Sequence, residues 1–148
     1  MLAELLSDRR PDLVYMELEV PLDRFIWDGK EDFRDALIET WRRVDEDPSV
    51  DPVDTSYYEY LTTSDAMKNC KADPTFRVET KIALYQKIKK GGYCPCVPTR
   101  MTCNLSGDKF RVRNGHHRLS MIEHWGAPDP LIVLLWIPDK DGKTDVYV

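Results

Sequence analysis

The stretch "FRVRNGHHRLSMIEHWG", Phe110 to Gly126, constrains the fold of this chain more than any other. "FRVR" reads as a short strand, and "HHRLSMIEHW" as a helix whose inner face is Leu119, Ile122 and Trp125, closed by Gly126. The only residues between the two are Asn114 and Gly115. A strand that turns directly into a helix needs both periodicities in one domain, so the chain is neither all-helical nor all-β.

The remaining segments extend the mixture. In "LVYMELEV", Val14, Met16, Leu18 and Val20 alternate with Tyr15, Glu17 and Glu19, the pattern of a strand, which Pro21 stops. "EDFRDALIETWRRV" sets Phe33, Leu37, Trp41 and Val44 on one stripe, with acids early and arginines late, and predicts a helix over 31–44. The Asp- and Pro-rich "DEDPSVDPVD" is a loop. "TSYYEYLTT" is aromatic and fits an edge strand or the wall of a pocket, with plain core packing as the simpler role for its rings. "DPTFRVETKIALYQKIKKGG" predicts a second helix, with Val78, Ile82, Tyr85 and Ile88 on one face and Gly91 and Gly92 at its end. "YCPCVPTRMTC" reads as a strand interrupted by prolines, "NLSGDK" as a turn, and "LIVLLWI" as a strand buried on both faces. The expected fold is α/β (α+β): one compact domain over 1–148, a small mixed sheet with flanking helices. A chain of 148 residues buries roughly two thirds of its unfolded surface, enough to fold without staples.

Charge and cysteine usage narrow the function. A net charge of −5 argues against broad nonspecific binding to nucleic acid. The cations are nonetheless uneven: Arg77, Lys81, Lys87, Lys89, Lys90, Arg100, Lys109, Arg111 and Arg113 lead up to the histidines, whereas residues 45–54 are acidic. No window approaches the ~20 apolar residues of a membrane span, and "MLAELLSDRR" lacks the charge order of a secretory signal. A cytoplasmic protein with no membrane partner is expected. Cys70, Cys94, Cys96 and Cys103 then read as reduced, buried thiols, since the spacing of the last three departs from that of structural zinc sites.

The histidine motif has three physical readings. All three histidines of the chain, His116, His117 and His124, lie in it. The first N–H groups of a helix have no intrahelical acceptor, and the positive end of the helix dipole lies behind them, so a helix start binds anions. Gly115, without a Cβ, lets an oxygen approach its backbone, and Arg118 in the first turn can hold that group with two hydrogen bonds. His116 and His117 add ring donors. Metal binding is disfavoured because adjacent residues at a helix start diverge by about 100°, whereas chelation on a helix uses i, i+4 spacing. No metal ligands are assigned. The third reading is a plain helix start, and His124 is expected to meet the last carbonyls of the helix.

The run "LYQKIKKGGYCPCV", a turn and "FRVRNGHHRLSMIEHWGAPDPLIVLLW" resembles the core of the ParB and sulfiredoxin superfamily over residues 76–137. Its members place in order a helix ending in Gly, a strand following a Pro, a strand-to-helix elbow of the form "GhHRl", a Gly closing that helix and a final apolar strand. The resemblance implies an elbow that binds nucleotide phosphates, of ATP, ADP or CTP, with Mg2+. Asn114, Gly115, His116, His117 and Arg118 would be the phosphate-binding set. Asn114 stands where many members carry an acid, and His116 where the sulfiredoxin cysteine aligns, so the implied activity is phosphotransfer or nucleotide hydrolysis and not sulfinic-acid repair. Kinases of the superfamily take a glutamate from the segment before the helix that ends in Gly. Glu59 and Glu79 are the catalytic candidates there, acting on a small-molecule or protein acceptor. Residues 21–75 match nothing in the family pattern and read as an insertion. A ParB-like DNA-binding or nuclease module and a noncatalytic interaction domain are the alternatives.

Overall fold

The computed structural model describes residues 16–27, 29–64, 73–92, 99–126 and 131–136. They form a mixed α and β structure with a five-stranded sheet. Chain contacts divide it into two units. A sheet unit gathers the described residues of Met1–Asp28, Cys94–Arg118 and Ala127–Val148; a helical unit gathers those of Gly29–Tyr93 and Leu119–Gly126. No described helix is long and apolar enough to cross a membrane.

In the sheet unit the strands are β1 (Met16–Val20), β2 (Phe25–Ile26), β3 (Thr99–Ser106), β4 (Lys109–Asn114) and β5 (Leu131–Trp136), in the spatial order β1-β5-β3-β4-β2. β5 pairs antiparallel with β1 and parallel with β3, so the apolar run of the sequence is an interior strand, and Leu131 and Val133 are buried. β3 and β4 form a hairpin whose turn is only Gly107–Asp108. "NLS", expected as turn, therefore belongs to the strand, which runs on because its ladder with β4 continues to Ser106↔Lys109. Pairing of side chains across the ladder gives the sheet two faces. Val20, Met101, Cys103, Val112, Leu131 and Val133 are buried, while Glu17 and Glu19 are exposed. Burial raises the Cys103 thiol to about 12, so it is an inert apolar side chain, as expected for the cysteines. The other three cysteines lie outside the described residues.

The helical unit contains α1 (Glu31–Glu46), α2 (Ser56–Thr63), α3 (Pro74–Gly91) and most of α4 (His116–His124), whose first three residues belong to the sheet unit. "TSYYEYLTT", left open above, is a helix. The Thr55 side chain accepts from Tyr58 N, a hydroxyl cap that supplies an acceptor for the helix start. Asp73 caps α3 in the same way through Thr75 N, Pro74 fills its first position, and Gly92 ends it at φ 80°. α1 and α2 are joined by Thr40. Its hydroxyl donates to Ala36 O at 2.8 Å and accepts from Tyr57 N at 3.0 Å. Leu37, Trp41, Tyr57, Val78, Tyr85 and Leu119 are fully buried, each contributing roughly 1.5–3 kcal/mol relative to exposure.

Candidate functional site

β4 reaches its helix through two backbone irregularities. Cys103 pairs with Val112 but Thr102 pairs with Asn114, so Arg113 is one extra residue in β4, a β-bulge. Such an insertion bends the strand and re-aims the residues that follow. Gly115 then adopts φ 112°, beyond the left-handed basin near +57° that Asn or Asp tolerates. α4 begins at the next residue. The elbow that the sequence suggested is therefore a bulge, a glycine-only conformation and a helix start in succession.

The five elbow residues are not equivalent. Asn114 is exposed, and Gly115, His117 and Arg118 are half-buried. His116 is only 8% exposed, and its ring lies 4.9 Å from that of Trp27 at an interplanar angle of 51°. That separation and tilt belong to the attractive, edge-oriented range of ring pairs. His116 is thus a packed side chain. Consecutive helical residues diverge by about 100°, so this inward placement turns His117 and Arg118 away from it.

Glu59 and Glu79 lie in the helical unit on two different helices, α2 and α3, and both are exposed. Glu59 lines a cavity of about 440 Å3 with Asp32, Ala36, Ser56, Tyr60, Thr63 and Ser64. The aromatic segment divides its roles: Ser56, Glu59, Tyr60 and Thr63 line this cavity, with Phe33 of α1 stacked on Tyr60 at 5.0 Å, while Tyr57 and Leu61 are buried in the core.

Sequence reasoning missed a second polar cluster, centred on Asp45. Its carboxylate accepts from Tyr85 Oη at 2.7 Å and Lys89 Nζ at 2.6 Å, and meets His124 Nε2 at 2.8 Å. Burial alone raises the Asp45 pKa, but hydrogen bonds from Lys89, His124 and Tyr85 outweigh it and hold the carboxyl at about 2. The Tyr85 hydroxyl moves upward, through burial first and its bond to Asp45 second. Trp125 Nε1 donates to the Tyr85 Oη at 3.1 Å, and Trp41 and Trp125 stack on the Tyr85 ring at 4.8 and 5.2 Å. His124, expected at the last carbonyls of α4, is instead engaged with this carboxylate, a charged acceptor that binds more strongly than a peptide oxygen. One sequence signal pointed here. Asp45 stands in the last turn of α1, where the helix dipole opposes a negative charge and compensating donors are required.

No protein-family model, curated protein or solved structure matches this chain.

Proposed function

We propose that the elbow Asn114–Arg118 binds a phosphate group of a nucleotide, within a domain of the ParB and sulfiredoxin kind that acts as a small phosphotransferase or nucleotide hydrolase. The observation that carries this reading is Gly115 at φ 112° directly before the first residue of α4. A backbone held in a glycine-only conformation is strained for any other residue, and strain of this sort is found where a close approach is needed. The helix N–H groups and the Arg118 guanidinium supply donors for phosphate oxygens. The order α3, β3, β4, α4, β5, with α3 ending at glycine and an apolar last strand, is the order in the superfamily motif and supports the same reading.

The elbow holds no carboxylate among residues 114–118, so it suits an anion. Mg2+, where the nucleotide carries it, would be held by phosphate oxygens and supply charge neutralisation to the transferred group. Transfer also needs a base for the acceptor hydroxyl, and Glu59 and Glu79 remain the candidates.

Thermal-shift measurements with ATP, ADP, CTP and GTP plus magnesium test the reading. At least one nucleotide is expected to raise Tm, and Arg118→Ala is expected to abolish the rise while leaving the Tm of the free chain within about 2 °C. Stabilisation by none of them rejects the proposal. Glu59→Gln and Glu79→Gln test the base separately, and unchanged turnover removes the residue from the mechanism.

A further inference from the structure

We draw no further inference here: the strongest candidate, the cavity of about 440 Å3 between α1 and α2 lined by Asp32, Glu59 and hydroxyl side chains, rests on two carboxylates in the first turns of their helices, and nothing among the described residues points to what would fill it.

Discussion

At the start of α4, the elbow is made by consecutive residues, Arg113 to Arg118. At its end, the Asp45 carboxylate gathers donors from Tyr85, Lys89 and His124, which are 40, 44 and 79 residues away in the chain. The first is a backbone device, made of a bulge, a positive φ and a helix start. The second is a side-chain device, in which three donors lie on one carboxylate beside a stack of three aromatic rings. A backbone device is made of groups that neighbour one another in the chain, whereas the Asp45 cluster satisfies groups brought together from distant positions against one another. With the proposed phosphate site at the elbow, recognition would belong to the elbow and stability to the cluster, and substitutions on either side can break that division.

The largest effect is expected at the aromatic stack. Trp41 is fully buried, lies 4.8 Å from Tyr85 and donates through Nε1 to Ser120 Oγ at 2.8 Å. Trp41→Ala removes the ring, leaves a cavity and strips the buried Ser120 hydroxyl of this donor, costing about 3–5 kcal/mol. In a chain of this size that lowers Tm by roughly 6–20 °C, read by circular dichroism. Trp41→Phe keeps most of the stacking area and loses the donor, so about 1 kcal/mol is expected beyond the smaller contact. A Tm unchanged in Trp41→Ala would break the view of the cluster as the stabilising region.

Gly115→Val comes next. A β-branched residue at φ 112° is strained in the folded chain, at about 1–3 kcal/mol, and the substitution also places a side chain where the phosphate oxygen would approach. Nucleotide stabilisation is expected to vanish while the Tm of the free chain falls by roughly 2–12 °C. Retained binding would show that the conformation serves the turn alone.

The two regions differ as sharply in how much of them the sequence discloses. The elbow was legible because its signals are adjacent: "FRVR", a glycine and a helical stripe place strand, turn and helix start with no knowledge of the rest of the chain. The helices over 31–46 and 74–91 were legible for the same reason, from stripes and caps. Arg113 as a bulge was not, since an extra residue is defined only against the partner strand. The inward packing of His116 depends on Trp27, 89 positions earlier, and no periodicity couples them. "TSYYEYLTT" stayed open because aromatic and β-branched residues favour strands, whereas the Thr55 cap and the Thr40 hydrogen bond to Tyr57 N act in the folded chain to favour a helix. Asp45 looked like one acid among many in "VDEDPSVD", and only its place at the negative end of α1 marked it.

The smallest effect sharpens the comparison through pH. The ordinary value for an aspartate is 3.8, and Asp45 is held at about 2 in the folded chain. A carboxyl with a depressed folded pKa stabilises the fold fully above its unfolded value and loses that contribution as pH falls toward the folded one. The contribution of Asp45 is therefore present at pH 5–7 and disappears between about pH 4 and 2. The carboxylate is partly exposed, so water screens it, and Asp45→Asn is expected to cost about 1 kcal/mol at pH 7, a Tm loss of roughly 2–4 °C. The melting curves of the wild-type chain and Asp45→Asn should then converge as pH is lowered from 4 to 2. A Tm difference that stays constant across that window would mean that the amide fails for reasons of shape and not of charge. At pH 7 the same variant should keep the nucleotide-induced rise in Tm that Arg118→Ala loses, since nothing in the elbow is built from Asp45. Loss of the rise in both variants would erase the distinction between a region that recognises and a region that stabilises.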